Sequence, residues 1–208
     1  MTAIPAPALD FSNIQIKIRP GQVLYLPGQA MSQKEFYEFC LQNADLRIER
    51  DANGQIEIMP PTTSETGQFN AELSGELFLW NRQTKLGKVF DSSTGFTLPN
   101  GAERSPDAAW IRNERWEALA ATDRQTFAPI TPDFVMELRS AHQSLSALRE
   151  KMDEYMAHGC RLGWLIDPQH RRTYVYAENG DIQTIGFDTP LSGGEVLPGF
   201  VLRLGEIG

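Results

Sequence analysis

The sequence predicts an α/β protein of the α+β kind, with a mixed central β-sheet flanked by helices. Three observations predict it. Two segments, Thr66 to Thr84 and Leu145 to His158, carry apolar residues at helical spacing. Several short segments alternate apolar and polar residues, as half-buried strands do. The two kinds follow one another as hairpin, helix, several strands, helix and strands, not as a regular βαβα series.

The elements can be justified in order. The first 30 residues are rich in Pro and Gly (Pro5, Pro7, Pro20, Gly21, Pro27, Gly28) and read as an extended arm, with a short strand at Val23 to Leu26. Residues 31–208 read as a single domain. Ser32 with Glu35 three residues on is a capping-box pattern, predicting a helix over Gln33 to Asn43. Leu46 to Arg50 and Gln55 to Met59 flank Asp51-Ala52-Asn53-Gly54, a hairpin signal. In Thr66 to Thr84 the residues Phe69, Leu73, Leu77 and Trp80 recur on one helical face, and Gly87 is expected to close the helix. Val89 to Asp91, Gly95 to Leu98 and Ser105 to Ile111 read as short strands, and Glu114 to Ala121 as a surface helix.

Pro132 to Leu138 reads as a strand with Phe134, Met136 and Leu138 on one face and Asp133, Val135, Glu137 and Arg139 on the other. The helix Leu145 to His158 turns Leu145, Leu148, Met152, Tyr155 and Met156 to one side. Leu162 to Asp167 is a strand stopped by Pro168. Thr173 to Ala177 and Ile182 to Gly186 form a second hairpin around Asn179-Gly180, and Phe200 to Leu204 is a last strand.

Composition narrows the function classes. The chain has 208 residues, 41% hydrophobic and 22% charged, which fits one globular domain of moderate size. No apolar run approaches the ~20 residues of a membrane helix. No basic n-region precedes an apolar stretch at the N-terminus, so the expected location is the cytoplasm, away from any membrane. Cys40 and Cys160 make no Cys-x-x-Cys pair, and His142, His158 and His170 are not spaced as a metal-binding pair. The net charge is -8, from 19 Lys+Arg against 27 Asp+Glu, so composition does not advertise nucleic-acid binding. The basic residues that do gather are Arg139, Arg149, Lys151, Arg161, Arg171 and Arg172. Glycine-rich nucleotide-binding loops, His-Glu-x-x-His and Gly-x-Ser-x-Gly are absent.

What remains is acids where acids are expensive. Glu72 and Glu76 fall at the border of the apolar arc on the 66–84 helix if Leu79 widens that arc. Asp107 opens an apolar strand after Pro106. Glu137 lies inside an apolar strand. Lys151 sits at the edge of the Leu148, Met152, Tyr155 stripe. Such acids and one lysine can form a phosphodiesterase set. Carboxylates hold Mg²⁺, which takes the rest of its shell from water and phosphate oxygens, and a lysine positions the water or stabilises developing charge.

Arg104-Ser105-Pro106-Asp107, the strand Pro132 to Ser140, Glu150-Lys151-Met152-x-x-Tyr155 and Gly163-Trp164-Leu165-Ile166-Asp167-Pro168 together resemble the putative restriction endonuclease family of the PD-(D/E)XK nuclease superfamily. Gly95-Phe96-Thr97-Leu98-Pro99 and Leu197-Pro198-Gly199-Phe200 fit as well, so the resemblance runs from about Met31 to Leu204. It implies a restriction-endonuclease-like core and a Mg²⁺-dependent endonuclease acting on DNA, with Mn²⁺ as a substitute ion. Asp107 and Glu137 then take the metal-ligand positions. Glu72 takes the helical acid of the first motif, with Glu76 its close rival. The lysine usual two residues after the acid is Arg139 here. Arginine stays protonated and cannot act as a base, which leaves it to clamp a phosphate or to pair with Glu137, and the resemblance moves the catalytic lysine to Lys151. A homodimer is expected if both strands of a duplex are cut. Two other readings share the fold: a catalytically silent binding module for nucleic acid or protein, and a hydrolase of small phosphate esters.

Overall fold

In the computed structural model, which describes residues 24–26, 31–141 and 143–207, the first element is a short strand, β1 (Leu24–Leu26). The rest of the expected arm and His142 lie outside the described residues. Helix α1 (Gln33–Gln42) starts with the predicted capping box: the Ser32 hydroxyl accepts from the Glu35 amide, and the Glu35 carboxylate accepts from the Ser32 amide at 2.8 Å. The predicted hairpin forms from β2 (Arg47–Arg50) and β3 (Ile56–Met59). At its turn Asp51 Oδ1 accepts from the amides of Asn53 and Gln55, and Gly54 adopts a φ of 82°.

Helix α2 (Ser64–Thr84) is capped at its start by Thr63. Its end departs from expectation. Lys85, with a φ of 57°, takes the left-handed closing position and bonds back to Asn81 O. Gly87 instead opens β4 (Gly87–Asp91), where a Cβ would collide with the Trp110 indole and the Ile111 carbonyl. Close approach of backbone to side chain, not a left-handed turn, is why glycine stands there. Next come β5 (Phe96–Thr97), β6 (Glu103–Arg104), β7 (Ala108–Arg112) and helix α3 (Asn113–Ala118). The chain closes with β8 (Phe134–Leu138), α4 (Leu145–Ala157), β9 (Leu162–Asp167), β10 (Arg172–Ala177), β11 (Ile182–Gly186), β12 (Leu191–Ser192) and β13 (Val201–Leu202). Strands β6 and β12, at two residues each, are too short to show a period in the sequence.

The central sheet is mixed and has the order β11-β10-β9-β8-β7-β4. Its strands pair antiparallel except β8 and β9, which are parallel and joined through α4. A second sheet, β1-β3-β2-β6-β5, is antiparallel throughout. The predicted alternation of β8 sets the core. Phe134, Met136 and Leu138 pack with Leu73 and Leu77 of α2 on one face of the central sheet. Val135 packs with Leu148, Met152 and Tyr155 of α4 on the other. Full burial of Leu73 and Leu77 stabilises this docking by about 1.5–3 kcal/mol each. The second sheet divides similarly. Ile48, Ile56 and Ile58 turn to Phe36 and Phe39 of α1, so Arg47 and Glu49 point the other way.

Candidate active site

Glu137 stands on β8, on the face covered by α4. Its side chain is 3% exposed. Lys151 Nζ lies 2.9 Å from its Oε1, and the Tyr155 hydroxyl donates to the same oxygen at 3.1 Å. Burial pushes the Glu137 carboxyl up to about 7. Lys151 opposes that rise, and the charges of Asp107 and Glu49 add to it.

Lys151 has a second carboxylate. Its Nζ lies 2.9 Å from Glu49 Oε1, and the Glu49 side chain is 1% exposed. Glu49 also accepts from the Ser105 amide at 3.1 Å and from Arg104 Nη1 at 3.4 Å. Burial alone would raise Glu49, but Lys151 and Arg104 outweigh it and hold its carboxyl below the ordinary range. Burial likewise acts to lower Lys151, and Glu137 and Glu49 overcome it, so the ammonium is held above its usual range. One ammonium therefore serves two buried carboxylates. Glu49 has Arg104 as well and keeps its charge, whereas Glu137 does not and ionises near neutrality.

Asp107 closes the cluster from the segment entering β7. Its Oδ2 accepts from the Leu138 amide at 2.8 Å, one residue from Glu137, and its Oδ1 meets Arg47 Nη2 at 3.1 Å. The same Arg47 nitrogen donates to Ser105 O at 2.9 Å. Arg104 bridges onward to Glu154 of α4, at 2.6 Å. The site lies at the seam of the two sheets, with β2 and β6 on one side and β8 and α4 on the other.

Three of the residues nominated from the sequence thus come together: Asp107, Glu137 and Lys151. Glu72 does not join them. It is half-buried on α2, which packs on the sheet face opposite Glu137, and Gln68 Nε2 donates to its carboxylate at 3.1 Å. Glu76 is exposed on the same helix. The arc that singled them out fails because Leu79 is 50% exposed and does not belong to the buried stripe. Arg139 neither pairs with Glu137 nor stands free. Its Nη1 lies 3.2 Å from both oxygens of Asp167, and its Nε donates to Gln143 O at 3.1 Å.

Sequence reasoning missed Glu49, Arg47 and Arg104. A signal existed. The hairpin register sets Glu49 directly opposite Glu57 on one face, and like charges so placed repel unless cations intervene. Arg104, at 3.8 Å from Glu57 as well, is one such cation.

Among the described residues no three His, Cys, Asp or Glu side chains are close enough to share a metal ion. Mg²⁺ ordinarily needs fewer, taking one or two carboxylates and completing its shell with water and phosphate. Asp107 and Glu137 supply two hard oxygen donors. Their mutual repulsion, part of what raises Glu137, is what a divalent cation would offset. The donor set fits such a site and does not form an all-protein cage.

Comparison with known proteins bears on the family and the fold. The sequence model of the Uma2 family, described as "Putative restriction endonuclease", matches residues 33–205. No curated protein matches the chain. Among solved structures, the crystal structure of a putative nuclease belonging to DUF820 from Anabaena variabilis is similar with a TM-score of 0.67. The match has 17% sequence identity and covers 85% of this chain and 96% of that one, a likeness of fold.

Proposed function

This chain belongs to the Uma2 family, described as "Putative restriction endonuclease", and from that premise we propose that it is a divalent-metal-dependent endonuclease hydrolysing DNA phosphodiester bonds. The observation that carries the reading is the meeting of Asp107, Glu137 and Lys151 from a strand entrance, a strand and a helix that lie far apart in sequence. Mg²⁺, or Mn²⁺ in its place, held by Asp107 and Glu137, would polarise the scissile phosphate and acidify a water.

The chain's own groups do the rest. Lys151 has three N–H donors, of which two point at Glu49 and Glu137. The third is left for the attacking water or a phosphate oxygen, where a fixed positive charge stabilises the charge that develops. Glu49 positions Lys151. The Leu138 amide and Arg47 fix the two oxygens of Asp107. Tyr155 orients Glu137 from the buried side. A homodimer, with two sites related by a two-fold axis, would cut both strands of a duplex.

The test is calorimetric titration of Mg²⁺ and of Mn²⁺ into the parent protein and into Glu137→Ala, with plasmid nicking scored on the same samples. Binding and nicking should both vanish in the variant. Lys151→Ala should keep metal binding and lose nicking, and nicking at the parent rate in that variant would sink the proposal. A parent protein that binds no metal and does not nick would favour the silent binding module.

A further inference from the structure

One row further along the central sheet from Glu137, the α4 face carries charge that this chemistry does not use. The Arg139 amide donates to Ile166 O at 2.9 Å and so extends the parallel β8–β9 pairing by one residue. Arg172 is the antiparallel partner of Asp167. Arg139, Asp167 and Arg172 therefore stand side by side across three strands, in front of the row Glu137, Leu165, Tyr174. Asp167 is fully buried and binds Arg139 at 3.2 Å and His170 Nδ1 at 2.7 Å. Arg139 thus removes the one acid of the row from the field and leaves Arg172 uncompensated.

Arg149 comes in from α4. Its guanidinium lies 4.3 Å from the centre of the Tyr174 ring, and that of Arg172 lies 6.0 Å from the same ring. Among the described residues neither arginine forms an ion pair, and Arg172 Nε is shielded from solvent without a hydrogen-bond partner. The acids on this side are Glu150 and Asp153, both exposed on α4 and unpaired with Arg149. Arg171 makes only an exposed 3.8 Å contact with Asp188.

We propose that Arg172, Arg149 and the half-exposed His170 form a shelf that binds backbone phosphates of the DNA strand leading into the site. This rests on the endonuclease reading and adds the surface that holds the substrate. A chain of net charge -8 repels DNA at long range, so approach depends on a local positive surface next to the cleavage point. Its place over the Tyr174 ring at 4.3 Å orders the Arg149 guanidinium before it meets phosphate. Each phosphate they neutralise releases counterions, which makes binding fall with salt.

The experiment is fluorescence anisotropy of a short labelled duplex with the full chain in EDTA, over a series of KCl concentrations, alongside plasmid nicking in Mg²⁺. Arg149→Gln/Arg172→Gln should weaken binding about tenfold near 0.1 M salt and flatten the log–log salt dependence by about 2. The charge-matched control Arg82→Gln/Lys88→Gln, on α2 and on the edge strand β4 four strands across the sheet from Arg172, should bind as the parent does. Arg149→Gln alone, at an exposed position, should show roughly half the change in slope. Binding by the double variant equal to the parent's, or a parent that binds no duplex, would overturn the shelf. Shelf-dependent binding without nicking would support the shelf while removing the nuclease reading. Nicking with shelf-independent binding would do the reverse.

Discussion

Glu49 and Lys151, 102 positions apart in the chain, meet at 2.9 Å with the carboxylate 1% and the lysine side chain 12% exposed. The contact ties the second sheet to α4 and sets the ammonium beside Glu137 at the same distance. A lysine reaching from a helix would otherwise snorkel to water; two carboxylates on different sheets keep it in.

Removing Glu49 should therefore be costly. Glu49→Ala leaves the Ser105 amide without its partner, Arg104 with Glu154 and Glu57 alone, and Lys151 with one carboxylate instead of two. Breaking one side of a buried ion pair typically costs about 3–5 kcal/mol. The urea midpoint should fall accordingly with the slope unchanged. A loss below about 1 kcal/mol would mean that the pair is effectively solvated.

The pH dependence follows from Glu137. Its carboxyl ionises at about 7 in the folded chain against an ordinary 4.5, chiefly because it is buried. Below 4.5 it is protonated whether folded or not. Between those values the folded chain holds a proton that the unfolded chain has released, so stability declines as pH rises through this window, by about 3 kcal/mol, and is flat above it. On the proposed metal role of Glu137, activity should run the other way, since a ligand must be deprotonated to bind, and nicking should rise tenfold per pH unit to a plateau near pH 7. Glu137→Gln should remove its share of the slope and leave the part owed to Glu57 and Glu103, whose carboxyls burial also raises. In Glu49→Ala, where the Glu49 charge no longer raises Glu137, the window should narrow from its upper end. Urea melts across pH check both.

The fold was legible where a period repeats. Phe134, Met136 and Leu138 alternate over one strand, and that was enough to separate its two faces and to set Glu137 on the one opposite them. The helices α2 and α4 were legible for the same reason. Glu49 was not, because it comes from a four-residue strand whose importance depends on which sheet it joins. That is settled by one pairing, Arg50 with Glu103, more than 50 residues away. Glu72 misled because helical periodicity fixes a residue's angle on the helix but not which face of the sheet the helix covers. Arg139 was legible as a departure from the family pattern, but its partner Asp167 lies on a neighbouring strand that the β8 sequence does not reveal.

Arg50 and Glu103 make a bidentate pair at 2.5 and 2.7 Å, both side chains under a tenth exposed, with the guanidinium 4.7 Å over the Phe36 ring. Lys34 and Glu38 make an exposed i,i+4 pair at 3.8 Å. The first joins two strands and α1 in a place water does not reach, and the second is screened. Arg50→Ala should destabilise the chain by about 3–5 kcal/mol, whereas Lys34→Ala should change stability by about 0.5 kcal/mol or less. Equal effects in thermal melts would show that burial does not distinguish them.

The sharpest contrast within the proposed site is between two glutamates. Glu72 occupies α2 on the face of Leu138 and Met136, with Gln68 as its partner. Glu49 holds Lys151. If the helical acid of the first motif contributes to cleavage, Glu72→Gln should lower nicking as much as Glu49→Gln does. The geometry predicts otherwise. Glu72→Gln exchanges one half-buried hydrogen bond for another and should leave nicking within about twofold of the parent. Glu49→Gln keeps the side-chain shape but withdraws the charge that positions Lys151, and should reduce nicking by about 10²-fold, the scale of a misplaced charged donor at a reacting phosphate. Single-turnover nicking rates of the two variants at saturating Mg²⁺, compared on one plasmid, decide which glutamate serves the site.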